Sequence, residues 1–174
     1  LLVTDEFAAP PVILRVGDSV IGTLGIFSAS TGKAKSKKTF NVCAIVAAAM
    51  TGGTVLNYSA SLPPRKRRIL YVDTEQSRFH CKRVLCRILR LAGLPTDTHP
   101  PLLEFLCLRG YATKERLRKI EEAIYDLDDL GLVVIDGIRD LAHDINSPGE
   151  ATDLITKLMQ WTDERRIHIH TVLH

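Results

Sequence analysis

Apolar and polar positions in this chain alternate between two rhythms. Short, nearly unbroken apolar runs at 22–29, 69–73, 102–108, 132–136 and 167–173 predict buried strands. Between them, apolar residues recur at helical spacing. An alanine-rich helix begins near Lys38 and stops at Gly52-Gly53. A second starts after Ser77, carries Phe79, Val84, Leu85, Ile88, Leu89 and Leu91 on its stripe, and stops at Gly93. A third opens at Thr113, its expected cap, with Arg116 where a capping box would want Glu; it presents Leu117, Ile120, Ile124 and Leu127 and ends at Gly131. A fourth spans 150–165, with Leu154, Ile155, Leu158 and Trp161 on one face. Residues 54–68 and 137–149 read as long loops, and 12–16 as an edge strand behind Pro10-Pro11.

Strand and helix thus alternate five times, which predicts an α/β fold: a doubly wound, mostly parallel sheet with helices on both faces. Residues 1–16 form an N-terminal arm and 17–174 one core. The chain starts at Leu1 without methionine and stops at His174 directly after the fifth strand, so it reads as a C-terminally incomplete piece.

Composition narrows the class only a little. With 174 residues, 45% hydrophobic and 25% charged, the chain suits one globular domain with a sizeable core. No apolar run approaches the roughly 20 residues of a membrane span, so a soluble protein is expected. Cys43, Cys81, Cys86 and Cys107 form no C-x-x-C pair and no zinc spacing, which fits buried thiols in a reducing cytoplasm. The net charge of +3 does not by itself diagnose nucleic-acid binding. Some of its clusters, at 33–38, 65–68, 82–90 and 114–119, could meet phosphate, although solvated helix faces of α/β proteins often look the same.

Candidate chemistry begins between the first strand and first helix. Gly32-Lys33-Ala34-Lys35-Ser36-Lys37-Lys38-Thr39 matches the phosphate loop G-x-x-x-x-G-K-[ST] except at the second glycine, which is Lys37. Such a loop turns backbone N–H groups inward, while Lys38 would reach the β/γ-phosphates and the Thr39 hydroxyl would serve Mg²⁺. A register with Gly32-Lys33 as the G-K pair fails, because Ala34 would replace the metal-binding hydroxyl. The same segment also fits a solvated lysine-rich loop before a core helix. Leu132-Val133-Val134-Ile135-Asp136 is the partner pattern, in which the carboxylate holds Mg²⁺. Glu75, just beyond the second strand, could activate water opposite a γ-phosphate, or could simply face the dipole of the following helix. Asp73 reads as structural. His168 and His170 read as packed or edge histidines, and Arg139, His143, Asp144 and Asn146 as polar loop residues.

Taken together, Gly32 to Thr39, Tyr71-Val72-Asp73-Thr74-Glu75, Val133-Val134-Ile135-Asp136 and Ile169-His170-Thr171-Val172-Leu173-His174 resemble the ATPase core of RecA-superfamily proteins, a P-loop NTPase fold. The likeness is closer to hexameric RepA/DnaB-type helicases and the related ATPases of plasmids and mobilizable transposons. It implies ATP and Mg²⁺ as cofactors, with Lys38 on the phosphates, Thr39 and Asp136 on the metal, and Glu75 as the water-activating base. It further implies strand order 3-2-4-5-1 among the five predicted strands and a γ-phosphate sensor at His174. A homo-oligomer, in the extreme a hexameric ring, and DNA, chiefly single-stranded, are the implied partners.

The expected function is therefore an ATP-hydrolysing RecA-like ATPase acting on DNA in replication or mobilisation of a plasmid or transposon, as a helicase or DNA-dependent motor. Two rivals use the same residues. One is a non-hydrolysing nucleotide-binding or DNA-associated adaptor, with Lys37 marking a degenerate loop; the other is a small-molecule kinase, which lacks an arginine-rich lid here.

Overall fold

An aliphatic run such as Leu132–Ile135 has no polar side to turn to water, so it is stable only between two layers. The computed structural model, which describes residues 1–32, 38–142 and 147–173, places it there. Along the chain come β1 (Val12–Val16), β2 (Ser19–Thr23), β3 (Phe27–Ser30), α1 (Lys38–Thr51), β4 (Thr54–Val55), β5 (Tyr58–Ala60), β6 (Arg68–Asp73) and α2 (Arg78–Leu91). They are followed by β7 (Leu103–Cys107), α3 (Thr113–Asp126), β8 (Leu130–Asp136), a 3-10 turn (Ile138–Leu141), α4 (Pro148–Arg165) and β9 (His168–Val172).

The central sheet has five strands in the order β3-β9-β8-β6-β7, and every pairing is parallel. Counted by the five predicted strands, this is the order 3-2-4-5-1 that the resemblance implied. Strand alternation sends Ile69, Tyr71, Leu132 and Val134 to one face, where they pack with α1 and α2. Leu70, Val72, Val133 and Ile135 face the other way, into a second core with Ile120, Ile124, Leu158 and the buried Trp161 of α3 and α4. Helices therefore cover both faces. Among the described residues no helix is long and apolar enough to cross a membrane.

Four local expectations change. The run 22–29 is not one strand: Gly25, at φ +87°, breaks it, so β2 joins a small antiparallel sheet and only β3 enters the central one. The 54–68 loop contains β4 and β5, and the small sheet has the order β2-β1-β5-β4, so β1 is internal and the two prolines precede it. Gly131 does not stop α3, which ends at Asp126; it lies inside β8, where an added Cβ would come 1.8 Å from the Lys66 carbonyl oxygen. The α3 cap is Ala112, not Thr113, and Glu115 reaches back to accept from the Ala112 N–H at 3.4 Å.

Candidate functional site

Parallel strands open their carboxyl ends on one side of the sheet, and ligands of such folds gather there. At that side β3 leads through Gly32 toward α1, whose first residues are Lys38 and Thr39. Helix α1 is buried along most of its length, and Ala44, Ala47, Ala48 and Ala49 let it lie close to the sheet. Its first turn carries no acidic side chain, so the positive end of its dipole is not neutralised from within. Lys38 is buried, with Nζ donating to the Gly32 carbonyl at 2.7 Å. Lys33, Ala34, Lys35, Ser36 and Lys37 lie outside the described residues, as do His174 and the loop residues His143, Asp144 and Asn146.

Asp136, at the end of β8, is 2% exposed. Its Oδ2 accepts from the Thr39 hydroxyl at 3.2 Å and from the Tyr71 hydroxyl at 2.9 Å. Two residues 97 positions apart are thus joined where strand and helix meet. Tyr71 is fully buried in β6 and stacked on Phe105 with centroids 4.6 Å apart. Burial first, then the Asp136 carboxylate, pushes the phenol well above its ordinary pKa, so it remains a hydrogen-bond donor.

Glu75 follows β6 and is exposed, and the residues around it set its direction. Asp73 Oδ1 accepts from the N–H groups of Glu75 (3.0 Å) and Gln76 (2.7 Å), while its Oδ2 accepts from Gln76 Nε2 at 2.7 Å. Burial raises the Asp73 carboxyl despite these donors. Thr74 Oγ1 reaches the carbonyl of Gly137 at 2.8 Å and Asp140 Oδ2 at 3.0 Å. Gly137 has φ +99°, and a Cβ there would fall 2.2 Å from Thr74 Oγ1 and 2.9 Å from Glu75 Cγ. Only glycine lets the chain after Asp136 pass so close to Glu75.

Sequence reasoning passed over Tyr71, Thr74 and Gly137. The available signal for Tyr71 was a lone hydroxyl in an aliphatic strand, which must find a partner when buried. For Gly137 it was a glycine immediately after the strand-end aspartate.

Behind β3 runs a second polar line. His168 Nδ1 lies 2.9 Å from the Thr23 carbonyl, so it carries the proton and donates. His168 Nε2 then accepts from Ser28 Oγ at 2.8 Å, Ser28 Oγ accepts from His170 Nδ1 at 2.8 Å, and His170 Nε2 accepts from Ser30 Oγ at 2.9 Å. Both rings are buried and burial lowers both pKa values, that of His170 to about 4. These are packed histidines, and Gly22 is the surface His168 packs on, since a Cβ there would meet its ring at 3.0 Å.

The donors gathered at the strand ends are hard oxygens from Thr39 and Asp136 beside one ammonium, a set suited to Mg²⁺ and phosphate rather than to a soft metal. Among the described residues no group of three His, Cys, Asp or Glu side chains forms a metal cluster. A family model described as the AAA domain matches residues 3–174. No curated protein matches the chain.

Proposed function

Because the chain belongs to the AAA domain family of P-loop ATPases, we propose that it binds ATP with Mg²⁺, hydrolyses it, and does so while acting on DNA as a homo-oligomer. The observation that carries the ATPase reading is the Thr39–Asp136 contact at 3.2 Å, with Lys38 one residue before Thr39 and Glu75 on the neighbouring strand end. In this reading Lys38 exchanges the Gly32 carbonyl for phosphate oxygen, and Thr39 with Asp136 holds the cation. Bound Mg²⁺ supplies neutralisation of phosphate charge. Glu75, aimed by the Asp73 turn and Gly137, orients water and takes its proton. The likeness of residues 32–40 to the ATPases of plasmids and mobilizable transposons, on the helicase side of the superfamily, supports DNA as the substrate. The RepA/DnaB-like assembly is the oligomer we favour.

The test is ATP binding and turnover by the protein, with and without single-stranded DNA, for wild type, Lys38→Ala and Glu75→Gln. Expected are turnover raised by DNA, loss of binding in Lys38→Ala, and retained binding with turnover down at least 100-fold in Glu75→Gln. Binding indifferent to Lys38 would overturn the site, and binding without turnover in the wild type would favour an adaptor.

A further inference from the structure

Helix α2 carries Arg78, Lys82, Arg83, Arg87 and Arg90 and no acidic residue at all. The whole chain nets only +3, so these five charges outweigh a remainder that is net negative. The concentration is local and needs its own explanation. The buried residues of α2 are Cys81, Val84, Ile88 and Leu89, which leaves Arg78, Phe79, Lys82, Arg83 and Arg90 facing water.

At its N-terminal end this face runs into a cleft of about 520 Å³ lined by Gln76, Ser77, Arg78, Arg109 and Tyr111. The far wall is held in place by Arg116, whose guanidinium donates to the carbonyls of Leu108 (3.1 Å), Arg109 (2.9 Å) and Asp140 (3.1 Å). The backbone that carries Arg109 and Tyr111 is thereby held, with the Tyr111 N–H also donating to the Leu108 carbonyl at 3.1 Å. Two large aromatics stand among these cations with much of their surface in water, Phe79 at 68% and Tyr111 at 38% exposure. One side of the Tyr111 ring carries the Lys119 ammonium at 4.5 Å from its centroid. A charged face needs no exposed aromatics to stay soluble.

We propose that the cleft between α2 and the β7–α3 loop, continued along the exposed face of α2, is a binding strip for single-stranded nucleic acid. Arg78, Lys82 and Arg109 meet phosphates; Phe79 and Tyr111 stack on unpaired bases. Cations that track a backbone, interleaved with ring faces that accept any base, are the physical requirements of such binding. An acidic peptide would use the cations and leave the rings idle. The inference rests on the DNA-acting part of the function proposed above and locates its contact, at the strand ends beside Glu75.

The test uses fluorescein-labelled oligothymidylate and, separately, heparin, followed by anisotropy over a range of salt without nucleotide. Arg78→Gln with Arg109→Gln is expected to flatten the slope of log affinity against log salt by about 1.4, two phosphates at roughly 0.7 each. Phe79→Ser and Tyr111→Ser are each expected to weaken oligothymidylate about tenfold while leaving heparin unchanged. On unaltered protein, photocrosslinking of an iodouracil-substituted strand should mark Phe79 or Tyr111, which removes any dependence on how the variants fold. Wild-type affinity in all variants, or crosslinks elsewhere, would overturn the strip. Equal losses for heparin in the aromatic variants would reduce it to an acidic-partner surface and also overturn it. A fluorescent ATP analogue titrated in parallel separates the two readings, since ATP binding without oligonucleotide binding sinks only the strip, and the reverse sinks only the ATPase.

Discussion

Acid should loosen this domain through the two histidines of β9. In the line from Thr23 to Ser30 every ring nitrogen is committed, and the direction of each hydrogen bond follows from the Thr23 carbonyl, which can only accept. A proton added to His170 Nε2 would face the Ser30 hydroxyl donor-to-donor, inside a site only 3% exposed. Burial accordingly moves His170 from the ordinary 6.5 to about 4. The unfolded chain takes up this proton near pH 6.5 and the folded chain only near 4. The stabilisation is therefore complete above about pH 6.5 and drains away as pH falls toward 4. At about 1.4 kcal/mol per pH unit per proton where the two states differ by a full proton, the loss between pH 7.5 and 4.5 comes to about 2.5 kcal/mol. His168, also lowered by burial, adds in the same direction. Urea unfolding followed by tryptophan fluorescence from the buried Trp161 at pH 7.5, 6.5, 5.5 and 4.5 would measure it, with His170→Gln beside the wild type. Glutamine cannot titrate, so the variant should start less stable and lose about 2 kcal/mol less over that range. Parallel declines in the two proteins would refute the reasoning and assign the acid sensitivity to carboxylates.

Gly137→Ala should cost about 1–2 kcal/mol for its left-handed backbone alone, with the displaced Thr74 hydroxyl adding to it. Because the new methyl pushes on Glu75, ATP turnover should fall at least tenfold while ATP affinity changes less than about threefold; equal changes in both would argue against a positioning role for this glycine. Tyr71→Phe keeps the stack on Phe105 but removes a buried donor from Asp136, so unfolding in urea should reveal a loss of about 1.5–3 kcal/mol. An unchanged midpoint would mean that Asp136 does not depend on that bond.

Much of the architecture could be read from apolar periodicity because both faces of the sheet are covered. Strands 69–73 and 132–136 are apolar up to a terminal aspartate, and helices such as α2 carry one stripe, so the pattern identifies each type. Glycine was harder, because one residue serves opposite ends. Gly93 follows the end of α2 at φ +68°, whereas Gly131 carries the same signal in the sequence and is a strand residue admitting the Lys66 carbonyl. Nothing in one dimension distinguishes a glycine needed for its own backbone from one needed by a neighbour 65 residues away. The candidate site divides in the same manner. Thr39, Glu75 and Asp136 announce themselves by motif and by position at strand ends. Tyr71, Thr74 and Gly137 matter only through what they touch, and those contacts exist once β6 and β8 are side by side.

The position of β9 also bears on how the domain is made. Strand β3, which precedes the phosphate-loop segment, pairs within the central sheet with β9 alone among the described residues, and Ser30 meets His170 across 140 residues. During synthesis β6, β7 and β8 can pair as they emerge, but β3 must wait for β9, made more than a hundred residues later. Until then the segment before Gly32 is an unpaired strand edge with Phe27 and Ser28 uncovered, a liability for wrong pairing in a nascent chain. Closing so distant a pair carries a high entropic cost and slows folding. The strand that leads to Lys38 and Thr39 thus gains its sheet partner only once β9 has been made, so that a nascent chain short of β9 has no finished strand from which to present them to nucleotide.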